Sequence, residues 1–138
     1  MKYIGFYREL NEGNSESYHE KISITPLPSY PVSEVKNYLN SGHPILDVTE
    51  MTVDVINGKF RVPGGSSVLT DGSFVWRQDL ACYVEHYGVA LPHDFLRLAA
   101  STGYRTPPVE QQRLIDISLS VSRDLGFRTD PGAGPRQR

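Results

Sequence analysis

The sequence predicts an α+β fold: an antiparallel meander sheet of about five strands, with C-terminal helices packed on one face. Three observations carry this. Glu50-Met51-Thr52-Val53-Asp54-Val55 alternates polar and apolar and runs into Asn57-Gly58, a strong short hairpin signal. A second hairpin signal stands at Asp71-Gly72. After Trp76 the apolar period changes from two to that of a helix, through Leu80, Tyr83, Val84 and Tyr87.

In chain order, residues 2–8 read as a first strand. Ile4 and Phe6 fall on one face, Tyr3 and Tyr7 on the other, and apolar groups on both faces suit a buried strand. Residues 11–18 are a polar loop. Ile22 and Ile24 fit a short edge strand, and Pro26, Pro28 and Pro31 interrupt regular structure. Ser33 is placed to cap a helix to about Asn40, with Val35 and Leu39 inward and Gly42 just past its end.

Residues 45–76 read as four short antiparallel strands. A two-residue loop at Asn57-Gly58 sets Val55 opposite Phe60, Asp54 opposite Arg61 and Val53 opposite Val62, so apolar meets apolar and acid meets base. The same logic at Asp71-Gly72 sets Leu69 opposite Phe74 and Val68 opposite Val75. Three helices follow. The first runs from about Leu80 to a stop at Gly88, and the second opens at Pro92 and Asp94 with a Phe95, Leu98, Ala99 stripe. The third covers about 109–125 and carries two stripes. Leu114, Ile117, Val121 and Leu125 form one, Ile115 and Leu119 the other, with Gly126 as its C-terminal residue. It is either a central packing helix or one that offers a stripe to a second copy, which makes a homodimer through 109–125 an expectation. Residues 1–127 form one domain, and the tail 128–138, rich in Pro and Gly, is expected to be disordered.

Composition narrows the function classes. Fourteen basic and sixteen acidic side chains give a net charge of -2, which speaks against a nucleic-acid reader. No apolar run reaches the ~18 residues of a membrane span. One cysteine excludes an internal disulfide framework, and the expected compartment is the cytoplasm. The acids concentrate early: Glu9, Glu12, Glu16 and Glu20 form a cluster suited to steering a basic partner. Eight tyrosines and Trp76 suit surfaces where apolar area meets polar contact, and Tyr7, Tyr18 and Trp76 are the aromatic candidates for such contact.

Chemistry-bearing motifs are sparse. Asp79, Cys82 and His86 share one helix flank, a spacing that suits a thiol nucleophile and its base. An open helix flank supplies neither walls nor oxyanion donors, so no catalytic residue is assigned. No third ligand is fixed beside His86, so no metal and no cofactor is expected. Gly64-Gly65-Ser66-Ser67 leads into a strand, not into the helix N-terminus a phosphate cradle needs. Glu50 and Asp54 share a strand face, but Asp54 is matched by Arg61 in the expected register.

Thr70-Asp71-Gly72, Trp76, Asp79-Leu80-Ala81, Tyr83, Tyr87 and Leu91-Pro92-x-x-Phe95 together resemble a pattern found in a family of small bacterial, actinobacterial-type, immunity-like proteins. The resemblance covers about residues 65–96. Position 82 departs from the pattern, since Cys82 stands where an aromatic is expected, and this argues further against a catalytic cysteine. The resemblance implies a protein-binding module that neutralises a bacterial toxin by covering its active site. The alternative is a small-ligand protein or small enzyme with a pocket between sheet and helices near Trp76.

Overall fold

Helices cover both faces of a mixed sheet. The computed structural model describes residues 1–10, 17, 18, 20–25 and 27–126. Their elements are β1 (Lys2–Tyr3), a 3-10 turn (Arg8–Leu10), α1 (Val32–Asn40), β2 (His43–Leu46), β3 (Met51–Val53), β4 (Arg61–Pro63), β5 (Val68–Thr70), β6 (Phe74–Arg77), α2 (Leu80–Tyr87), α3 (His93–Ser101) and α4 (Gln111–Leu125). The class is α+β, as the sequence predicts. The expected disordered tail at 128–138, with Glu12 and Glu16, lies outside the described residues.

The meander is corrected. The main sheet has four strands in the order β1-β6-β5-β2, and β3 and β4 form a separate two-stranded sheet. β2 pairs antiparallel with β5, so the chain between them leaves the sheet as an excursion. Ser67 straps that excursion at its root: its Oγ accepts from Val48 N–H at 2.9 Å and donates to Val48 O at 3.1 Å.

β1 runs parallel to β6, with Lys2 opposite Phe74 and Tyr3 opposite Val75. The strand expected over 2–8 is therefore much shorter. Ile4 N–H still reaches Val75 O at 3.0 Å, but Gly5 then turns the chain at φ 72. A Cβ there would stand 2.7 Å from Leu80 Cδ1, so glycine is needed for close approach as well as for conformation. The edge strand expected at Ile22 and Ile24 is a single bridge from Ile24 to Val89.

The β5–β6 turn is Gly72-Ser73, not Asp71-Gly72. Leu69 faces Trp76 and Val68 faces Arg77, two residues from the expected register. Asp71 flanks the turn and caps it, its Oδ1 accepting from Ser73 N–H at 2.9 Å and Phe74 N–H at 2.8 Å. A shift of two leaves every side chain on its face.

Both faces of these central strands are apolar, which requires cover on both sides. Leu69, Phe74 and Trp76 pack with Val35, Tyr38 and Leu39 of α1, Leu80, Tyr83 and Val84 of α2, and Phe95 and Ala99 of α3. Val68 and Val75 pack on the other side with Phe6 and with Ile117 and Val121 of α4. Helices on one face only, the expected layering, would have left this second layer in water.

The helix assignments hold with local amendments. α1 opens after Pro31, whose φ of -74 leads into it, so Ser33 lies inside the first turn and is not its cap. α2 and α4 stop at Gly88 and Gly126, at φ 58 and 83. The main stripe of α4 faces inward, while Ile115 and Leu119 stay 38% and 40% exposed. The helix is thus not a centrally packed one. Among the described residues no helix is long and apolar enough to cross a membrane.

Candidate functional site

The hairpin β3–β4 departs most from its sequence reading, and the cause is Asp54. Its carboxylate organises the turn: Oδ1 accepts from Ile56 N–H at 2.8 Å, and Oδ2 accepts from Lys59 N–H at 2.9 Å. Tyr87 of α2 donates its hydroxyl to the same Oδ2. Gly58 N–H reaches Asp54 O at 3.2 Å, closing a wider loop than a two-residue turn. Burial works against the ionised Asp54, and hydrogen bonds from Tyr87, Lys59, Ile56 and Asn57 outweigh it, so the carboxyl sits below its ordinary range.

That loop sets Val53 opposite Arg61, Thr52 opposite Val62 and Met51 opposite Pro63. The register is one residue from the expected one, and an odd shift exchanges the faces of a strand. On β4 Val62 is buried, and Phe60 just before it is half-buried. On β3, Thr52 and Asp54 turn inward instead. Met51 and Val53 face out and are 52% and 48% exposed, and Val55 follows at 46%. Arg61, expected to pair with Asp54, is exposed and has no carboxylate partner among the described residues.

Sequence reasoning therefore missed Met51, Val53, Val55 and Arg61 as surface residues. The available signal was Asp54 itself, three residues before Asn57-Gly58, where an aspartate can cap the loop it enters.

Beneath the hairpin lies a buried ion pair. Arg77 Nε and Nη2 donate to Asp79 at 3.2 and 2.9 Å, and Thr52 Oγ1 donates to Asp79 Oδ2 at 3.1 Å. Arg77 also reaches the Tyr18 hydroxyl at 3.4 Å. Burial raises the Asp79 carboxyl above its ordinary value, while Arg77 opposes that shift. Asp79 thus holds the β6–α2 junction through its side chain, and it makes no side-chain cap to α2.

The remaining expected contact residues divide by exposure. Trp76 is enclosed by Tyr38, Phe95 and Gly42, and its Nε1 donates to Leu39 O at 3.0 Å. Tyr7 is equally buried, with no hydrogen-bond partner for its hydroxyl among the described residues. Neither offers surface to a partner, and the space expected as a pocket beside Trp76 is filled by rings. Tyr18 is half-buried, its ring edge-on to Phe6. Glu9 is exposed. Glu20 is half-buried, accepting from Gly5 N–H at 3.0 Å.

The pattern residues are framework. Asp71, Leu80, Tyr83 and Phe95 are buried, Tyr87, Leu91 and Pro92 are half-buried, and Gly72 takes φ 97 in its turn. The Cys82–His86 flank is not arranged for catalysis. Burial, with Asp79 and Glu85 nearby, raises the Cys82 thiol, the reverse of an activated nucleophile. The His86 ring stacks on Phe60 at 5.0 Å. No cluster of three or more His, Cys, Asp or Glu suited to a metal occurs among the described residues.

An open cleft of about 500 Å³ lies at the far end of the sheet, lined by Lys2, Ser73, Arg113, Asp116 and Ser120. Its charges are engaged: Lys2 pairs with Asp94, and Arg113 donates to Gly72 O at 2.6 Å. No protein-family model, curated protein or solved structure matches the chain.

Proposed function

We propose that this protein is a non-enzymatic binding module that neutralises a bacterial toxin in the cytoplasm by covering its active site, and that the outer face of β3–β4 is its contact surface. One observation carries the reading: Met51 and Val53 are about half exposed on one strand face, and Val55 is equally exposed just beyond it. Exposed apolar side chains scattered singly need no explanation, but this row is contiguous, and its methionine and the neighbouring arginine are residue types enriched at interfaces. The resemblance of residues 65–96 to immunity-like proteins supports the same direction. Exposed Glu9 suits the rim, where charge steers approach.

The test is capture of the tagged chain from its own host, followed by co-expression with the recovered protein. One stoichiometric partner is expected, toxic alone and harmless with this chain. The Met51→Glu, Val53→Glu double variant is expected to fold normally and lose protection. A captured partner that is not toxic, or one whose toxicity the chain leaves unchanged, overturns the reading.

A second reading, self-association through α4, is favoured by the exposed Ile115 and Leu119. Light scattering tests it: a dimer dissociated by Leu119→Glu supports it, and a monomer at high concentration removes it.

A further inference from the structure

Among the described residues neither outer edge of the hairpin pairs with a further strand, and the two edges are unequal. In an antiparallel pair, residues alternate between those that exchange hydrogen bonds and those that do not. Gly64 N–H donates to Glu50 O and Asp54 N–H to Phe60 O, each at 2.9 Å, which marks 50/64 and 54/60 as bonded pairs. Thr52 and Val62 lie in phase with them. Met51 and Val53 therefore turn their N–H and C=O groups away from β4. Among the described residues β3 pairs with β4 alone, and both of these side chains are about half exposed. On β4 the outward positions belong to Arg61 and Pro63. Proline has no N–H, so that edge is blunted. The β3 edge keeps two donors and two acceptors at strand spacing.

Charge distinguishes the two ends of this edge. Arg61 stands opposite Val53 near the hairpin tip with no carboxylate partner among the described residues, and exposed Lys59 follows the turn. Exposed Asp47 and Glu50 lie before the other end of β3. A carboxylate on an added strand would be repelled at the Glu50 end and attracted at the Arg61 end. That strand would lie roughly 10 Å from β4, two strand spacings, within the combined reach of an arginine and a glutamate.

Resting on the reading of this hairpin as the binding face, we propose that the free edge of β3 accepts an extended segment of the toxin as a third strand, apolar at alternate positions, with a carboxylate of that segment paired to Arg61. Main-chain hydrogen bonds from Met51 and Val53 would supply affinity, and Arg61 would select the register.

The probe is the capped hexapeptide Thr-Val-Thr-Val-Thr-Glu, whose two alternate valines and Glu share one strand face, with its Glu→Lys counterpart as control, titrated into the full chain and followed by amide NMR shifts. The Met51 and Val53 amides are expected to respond first. The lysine peptide should bind about fivefold more weakly, and Arg61→Glu should reverse the preference. Val53→Pro removes a donor that the fold does not use, and should weaken binding about tenfold with an unchanged melting temperature. Shifts confined to other elements, equal binding of both peptides, or self-association abolished by Val53→Pro would each overturn the proposal. The two readings fail separately. Toxin suppression that survives both Arg61→Glu and Val53→Pro overturns the strand addition and leaves the toxin-binding function standing. Peptide binding at β3 by a chain that suppresses no toxin does the reverse.

Discussion

The Tyr38 hydroxyl donates to Asp71 Oδ2 across 2.7 Å, joining α1 to the β5–β6 turn inside the core. Asp71 Oδ1 meanwhile holds two backbone N–H groups of its own turn. Asp54 repeats the arrangement on the β3–β4 turn, with Tyr87 of α2 as donor. In both, a helix tyrosine reads whether a turn aspartate is in place.

The first prediction concerns that link. Tyr38→Phe is expected to destabilise the fold by about 1.5–3 kcal/mol, the range for a hydrogen bond to a charged group. Asp71→Ala should cost more, because it also frees the turn. A double-mutant cycle read by urea unfolding should show clear coupling, and additive effects would contradict the bond.

Acid titration supplies the second. The folded Asp54 carboxyl lies below its ordinary value of 3.8, so it contributes stability above that pH. The contribution is lost as pH falls through the folded value. The urea midpoint should therefore drop on acidification below about pH 4. Tyr87→Phe removes the leading hydrogen bond that lowers Asp54, so its acid loss should be shallower. Identical slopes would show that Tyr87 does not hold Asp54.

The third is steric. A Cβ on Gly42 would stand 2.6 Å from Trp76 Cζ2 and 3.0 Å from Leu69 Cβ. Gly42→Ala is expected to cost about 1–3 kcal/mol, as overpacking does, and to shift Trp76 fluorescence. An unchanged melt and spectrum would mean that the indole does not pack there.

The fourth separates a structural thiol from a catalytic one. With its thiol raised by burial and by the neighbouring carboxylates, Cys82 should react with iodoacetamide more slowly than free cysteine at pH 8. Cys82→Ser should leave stability within about 0.5 kcal/mol, typical of a substitution that touches no core feature. Reaction faster than free cysteine, lost in His86→Ala, would restore the nucleophile pair.

Two hairpins show why the sequence was only partly legible. At β5–β6 the turn lies one residue later than Asp71-Gly72 suggests, which shifts the register by two and spares the faces. At β3–β4 the loop around Asp54 shifts the register by one and turns Met51, Val53 and Arg61 outward. The neat pairing of Asp54 with Arg61 on paper was outcompeted by backbone N–H groups and a tyrosine from 33 residues away. The candidate surface was hidden for the same reason: alternation marks that a strand has two faces, but the loop and its distant partner choose which one faces water.

What the sequence determined by itself was local. Apolar spacing placed the three C-terminal helices, and the glycines at 88 and 126 ended two of them, because helix period and the left-handed stop depend on neighbours within a few residues. Only the tertiary structure decided that β1 lies parallel to β6, with Lys2 beside Phe74, that α4 covers the opposite face from α1 and α3, and that β3–β4 stands apart with one usable edge. Each of those depends on which segment, tens of residues away, buries a given apolar face or satisfies a given backbone group, and local pattern does not encode that choice.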